Sequence, residues 1–307
     1  MKTNTLVALL IVLALGFGAV VRSQNSVTTI WTPPSSREAK TPFAPKPLPV
    51  HNIFKRDADV WLADAIEKLE CGISDPLQDK PLTDYVSMVG DHVAKYSAAP
   101  NTKYQFIVTK DADADAMTAG GGRIYISLGM LVLIENEDEL AAILAHEIAH
   151  DAFHHAARMV TRQMFWLTEI KKIQTPEDAE AALAELNDEL NNNLFAALGD
   201  RLLGFARFDE LEADRAAFYA IYKAGYNPYA LTTSLKKLQR QDNEPTDSDR
   251  PSKLFLLLFG SHPPTGQRTF ALSWESNFVK MPPKNSFQNS AAFDDMKQHV
   301  AALAQRN

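Results

Sequence analysis

The chain has 307 residues, of which 46% are hydrophobic and 22% charged. That suits one or two folded domains and excludes both a disordered chain and a multi-span membrane protein. The net charge of -7 and pI near 5.6 leave no basic footprint for nucleic acid. The single cysteine, Cys71, rules out an intrachain disulfide framework and any multi-Cys zinc site, so a metal would have to sit on His and carboxylates.

In chain order, Met1 and Lys2 precede an apolar run from Leu6 to Val21, interrupted only by Gly16 and Gly18. The run is shorter than the roughly 20 residues of a permanent membrane span. Val21-Arg22-Ser23 before Gln24 has the spacing of a cleavage site. Residues 1–23 therefore read as an export signal peptide, with an uncleaved N-terminal anchor as the alternative. Residues 24–53 read as a Pro-rich extended linker, because Pro33, Pro34, Pro42, Pro45, Pro47 and Pro49 forbid helix and central strand. Residues 54–307 form the expected folded domain, with no internal repeat.

Val60, Leu62, Ala63, Ile66 and Leu69 recur at helical spacing, and a second helix is expected from about Leu82 to Ser97. The period then changes to two. Tyr104–Val108 and Arg123–Ser127 are the expected strands, and Asp111, Asp113, Asp115 and Gly120-Gly121-Gly122 between them read as turn residues. Further helices are expected at about 137–160, 176–206, 208–224, 229–241, 266–277 and 288–304. Pro176 is a good helix start, and Gly225 before Asn227-Pro228 a good stop. The fold class is α+β, helix-rich, with one small sheet.

The segment His146-Glu147-Ile148-Ala149-His150 lies inside an amphipathic pattern that starts at Glu137. Residues four apart share a helix face, so both imidazoles can reach one metal ion, with Glu147 beside it and free to hold a water. In a shuffled chain with 8 His this spacing with its Glu would arise about 0.01 times. A catalytic zinc takes three protein ligands and keeps one position open. A third His six residues after His150, with Gly three after it, is one known layout; Phe153 and Ala156 stand there instead. On a continuous helix His154 and His155 diverge from the ion, and they read as outer or surface residues. The better source is Phe208-Asp209-Glu210-Leu211-Glu212-Ala213-Asp214. Glu210 and Asp214 share a face there: one carboxylate can complete the zinc and another can accept the outer N–H of a ligating His. Glu212 faces away and reads as solvated.

These two motifs resemble the gluzincin family of the heat-shock protease HtpX and the CAAX prenyl endopeptidase. The layout is closest to exported BepA-like members, without their helical-repeat domain. The resemblance spans about residues 60–280 and takes in Gly120-Gly121-Gly122-Arg123-Ile124-Tyr125-Ile126, Ala213 before Asp214, and Ser261-His262-Pro263-Pro264 followed by Arg268. It implies a zincin-like metalloprotease domain with an active-site helix. His146, His150 and Glu210 would bind one zinc per chain, Glu147 would be the general base, and Asp214 would hydrogen-bond a zinc-bound His. His262 and Arg268 would lie near the metal, steadying the oxyanion or gating the site. The segment Arg123, Ile124, Tyr125, Ile126 and Ser127 would pair with an extended substrate by β-augmentation.

The expected function is that of an exported, periplasmic or membrane-associated zinc endopeptidase acting on unfolded or misassembled envelope proteins. Its partners would be polypeptide substrates and envelope assembly machinery, with no nucleic acid. The rival from another class is a zinc-dependent holdase or scaffold with latent protease activity, which Glu147 disfavours because a pure binder has no need of a base. An aminopeptidase would need acidic groups for the substrate amine, and none is recognisable.

Overall fold

A computed structural model describes residues 53–54, 58–68, 75–167, 172–189, 195–241, 266–287 and 289–305. These all fall within one unit, Pro42–Asn307. The expected signal peptide, most of the Pro-rich linker, Cys71 and the segment around His262 lie outside the described residues.

The chain enters through helices α1 (Asp59–Lys68) and α2 (Lys80–Ala94). Asp79 caps α2 by accepting from the Leu82 N–H at 3.0 Å, with Pro81 in the first turn. Strands β1 (Gln105–Thr109), β2 (Ala116–Gly120) and β3 (Arg123–Ser127) follow, then helices α3 (Leu128–Leu133), α4 (Glu137–Ala152), α5 (His155–Leu167) and α6 (Pro176–Glu189). The last described elements are α7 (Phe195–Ala224), α8 (Tyr229–Gln241), α9 (Gly266–Glu275), the 3-10 turn Ser276–Phe278, and α10 (Ala291–Ala304).

The sheet order is β1-β3-β2, with β1 parallel and β2 antiparallel to β3. The stretch read from sequence as a turn therefore contains a strand, β2. Asp111, Asp113 and Asp115 do lie in the loop before β2, where the Asp113 N–H donates to Asp111 Oδ1 at 3.1 Å, and Gly120-Gly121-Gly122 turns the chain from β2 into β3, with φ of 96°, 66° and 79°. Three successive residues in this region leave no place for a Cβ without strain, which accounts for the glycine run. Side chains alternate across β3: Ile124 and Ile126 enter one core with α2, α4 and α7, while Tyr125 enters a second core with α1, α5 and α6.

Helix α4 runs through the middle of the domain. Asn136 caps it by accepting from the Glu139 N–H at 2.9 Å, and every residue from Asp138 to Asp151 is buried. It packs on α7, α2, α8 and β2. Ala149, Ala213 and Ala216 meet Phe153 where α4 and α7 approach, and these short side chains let the two helices come close. The single helix expected over 137–160 is in fact two. His154 takes φ 57°, a left-handed conformation that ends α4, and its ring bonds Asp59 at the start of α1. The boundary expected near Phe208 is absent, since α7 runs unbroken through it.

Candidate metal centre

Helical periodicity on α4 puts His146 and His150 on one face, aimed at α7, whose own periodicity turns Glu210 and Asp214 toward them. The Nε2 atoms of His146 and His150 are 3.0 Å apart. Glu210 Oε2 lies 3.4 Å from His146 Nε2, and Glu210 Oε1 lies 3.4 Å from His150 Nε2. A tetrahedral zinc with bonds of about 2.0–2.1 Å holds its ligand atoms about 3.3–3.4 Å apart. Both contacts to Glu210 stand at that spacing, the two imidazole nitrogens are closer at 3.0 Å, and all three residues are buried. Two imidazoles and one carboxylate are also the donor types that suit zinc. Glu147 is buried beside them.

Each imidazole has a different backing. His146 Nδ1 lies 3.1 Å from Asp214 Oδ1. Asp214 in turn accepts from Arg268, Nε to Oδ2 at 2.7 Å and Nη2 to Oδ1 at 2.6 Å. Burial alone would raise the Asp214 pKa; Arg268 and His146 reverse this and hold the carboxyl below the usual range. Arg268 also reaches Glu210, with Nη1 2.8 Å from Oε2. Burial opposes its charge, but the fields of Asp214 and Glu210 overcome that and raise its pKa. His150 Nδ1 meets another ring, His155 Nδ1, at 2.8 Å. His155 Nε2 is 3.1 Å from Glu212 Oε2, and Arg158 donates to the same oxygen at 2.8 Å.

Several expectations need correction. Glu212, read as solvated, is largely enclosed and bound to His155 and Arg158. His155 does not diverge from His150; the break at His154 turns it back. The β3 segment Arg123, Ile124, Tyr125, Ile126 and Ser127 lies between β1 and β2, so both its edges are already hydrogen-bonded and no substrate strand can join it. Arg123 itself is paired with Asp64 at 2.5 Å and Glu67 at 3.3 Å. The outer edge of β1 is covered in part, since Leu77 N–H donates to Val108 C=O at 2.7 Å. Among the described residues that leaves β2, whose first residue borders the centre: Ala116, with Ala114 and Asp115 of the loop before it, shares a cavity with His146 and Glu147. Met130, Ile143, Leu231, Leu235 and Leu238 give this cavity an apolar wall. The roles of Arg158, Glu212 and the β2 edge were missed from sequence. A third His five residues beyond His150 was the visible signal; spacing alone left it as an outer or surface residue.

Two imidazoles one turn apart, a carboxylate from a second helix and an adjacent glutamate make up the centre of a metallopeptidase. The profile of Peptidase family M48 matches residues 81–275, which takes in both helices of the centre, and the chain belongs to this family. It is 26% identical over 223 residues to a beta-barrel assembly-enhancing protease of Yersinia pestis, covering 71% of this chain and 43% of that protein. It is 28% identical over 166 residues to the mitochondrial metalloendopeptidase OMA1 of Schizosaccharomyces pombe, covering 53% of this chain and 46% of the relative. Similarity to the metalloprotease YcaL of Escherichia coli K12 is 27% over 170 residues, 54% of this chain and 58% of YcaL. The chain thus spans less than half the length of the first two relatives. No described helix is long and apolar enough to cross a membrane.

Proposed function

We propose that the chain is an exported zinc endopeptidase that cleaves unfolded or misassembled envelope proteins. The observation that carries the reading is the convergence of His146 Nε2, His150 Nε2 and the Glu210 carboxylate within 3.0–3.4 Å, with Glu147 beside the two His on their helix. Zinc, when bound, polarises the scissile carbonyl and acidifies a water. Glu147 takes the proton of the attacking water on its carboxylate and delivers it to the leaving amine. Asp214 holds the proton on His146 Nδ1, so that Nε2 presents its lone pair to the ion. Arg268 keeps Asp214 ionised in a buried setting and pairs with Glu210. An extended substrate pairs with β2 rather than β3, and an apolar side chain fits the cavity lined by Met130, Ile143 and Leu235.

Backbone pairing reads few side chains, which suits unfolded or mobile segments. Export rests on the reading of residues 1–23 as a signal peptide, followed by the linker 24–53 and the domain 54–307. The envelope as the site of action is supported by the beta-barrel assembly-enhancing relatives. His262 is proposed to act at the same centre, as gate or as oxyanion donor.

Metal analysis and casein cleavage, comparing wild type with Glu147→Gln, test the reading. One zinc per chain in both proteins is expected, with cleavage lost by several orders of magnitude in the variant. Residual hydrolysis within a few-fold of wild type would move the chemistry away from Glu147. Full function in cells with dead chemistry would favour a holdase.

A further inference from the structure

The two ligand imidazoles are not held alike, and the difference lies in the break between α4 and α5. On a continuous helix the residue five beyond His150 would sit about 140° round the axis from it, out of reach. The left-handed turn at His154 ends α4, and α5 starts by placing His155 back against the centre. Its ring is buried, packed near Phe153, and its Nδ1 lies 2.8 Å from His150 Nδ1.

The hydrogen-bond directions along this line follow from assigning His150 Nε2 to the metal. His150 must present an Nε2 lone pair toward Glu210 and His146, so its proton sits on Nδ1. A hydrogen bond between two Nδ1 atoms then requires His155 Nδ1 to accept. The His155 proton is left on Nε2, which faces Glu212 Oε2 at 3.1 Å. Glu212 is anchored by Arg158 at 2.8 Å. Arg158 also pairs with Asp209 at 3.1 Å, and Arg162 with Asp209 at 2.5 Å. His155, Asp209 and Glu212 could by spacing hold a second cation. The two guanidiniums already supply the positive charge there, so a positioning role fits better than a second metal.

We infer that His155 is a positioning residue for the metal centre: its Nδ1 accepts the His150 Nδ1 proton and it passes the orientation of Glu212 and Arg158 to the ligand. His146 is oriented by a carboxylate directly, His150 through an imidazole. This rests on the reading of His146, His150 and Glu210 as the zinc site. Outer partners of this kind typically change metal affinity about 10–100-fold when removed.

The test uses the full chain loaded with zinc and titrated with a competing chelator. His155→Leu fills the space but cannot accept, and it should release zinc at about 10–100-fold lower chelator strength. His155→Gln keeps an acceptor for His150 and a donor for Glu212, and should stay within a few-fold of wild type. Unchanged affinity in His155→Leu would overturn the inference, as would a folded His155→Gln as weak as His155→Leu. Should His155→Leu fail to fold, ring nitrogen chemical shifts of the loaded wild type decide. An unprotonated Nδ1 and protonated Nε2 on His155 are expected; a proton on Nδ1 refutes the relay. His146→Ala is the control: if it also holds zinc as tightly as wild type, the metal-site reading fails rather than the relay.

Discussion

Arg268 is the cation that pairs with both buried carboxylates, Asp214 and Glu210. Its guanidinium forms a two-pronged bond to Asp214 and a third contact to Glu210. Arg268→Met would leave two buried carboxylates without their cation, and a loss of about 3–5 kcal/mol is expected in urea denaturation of the metal-free chain. Arg268→Lys should recover only part, because a point ammonium cannot reproduce the planar fork. A midpoint equal to wild type in Arg268→Met would mean the cation contributes nothing net. His262 has two readings that kinetics separate. If it gates the metal at rest, His262→Ala raises basal casein cleavage. If it donates to the oxyanion, the same change lowers kcat by about 10²–10³ with zinc content retained. Wild-type kinetics would remove it from the site.

At the scale of elements, α4 is held by polar clamps at its N-terminal end. Asp138 is fully buried and accepts from the Asn227 N–H at 2.7 Å, which ties α4 to the turn after α7. Glu139 is nearly as buried and meets Lys237 on α8 at 2.6 Å and the Thr233 hydroxyl at 2.9 Å. Lys237→Met should cost about 2 kcal/mol, since Glu139 keeps hydrogen bonds but loses its charge partner. Thermal unfolding at matched pH measures this, and a change within 0.5 kcal/mol, about the noise of a surface substitution, would refute it. The stop of α7 depends on Gly225 at φ 91°, around which a Cβ would meet nothing within 4 Å. Any cost of Gly225→Ala is thus purely conformational, about 1 kcal/mol, and Gly225→Asn should cost less because Asn tolerates this region.

For the whole molecule, the centre joins two helices that meet nowhere in sequence. A ligand that binds only the folded state stabilises it by about 4 kcal/mol at a thousandfold excess over Kd. For a domain of this size chelation should lower Tm by roughly 10 °C. His146→Ala should start lower and show no further drop with chelator. An equal Tm with and without chelator in the wild type would indicate that no metal bridges α4 and α7. The export reading is checked separately: N-terminal sequencing of protein from cells should begin near Gln24, and an intact Met1 would indicate an anchor.

The sequence by itself determined whatever depends on a local window. The 3.6-residue period placed His146 with His150 and Glu210 with Asp214, and Pro176 and Gly225 mark a helix start and a helix stop as such residues do. Strand β2 was hidden because Ala116-Met117-Thr118-Ala119-Gly120 has little strand propensity; pairing with β3 and burial on both faces override it. Strand order was equally hidden, and it moved the available edge from β3 to β2. One residue, His154, broke a helix that periodicity read as continuous and carried His155 to His150. Only the tertiary structure decided this, because a left-handed turn is stabilised by its contact with Asp59, 95 positions earlier in the chain. Spacing along a helix is set by the backbone, whereas strand order and the meeting of distant side chains are set by how the whole chain closes on its core.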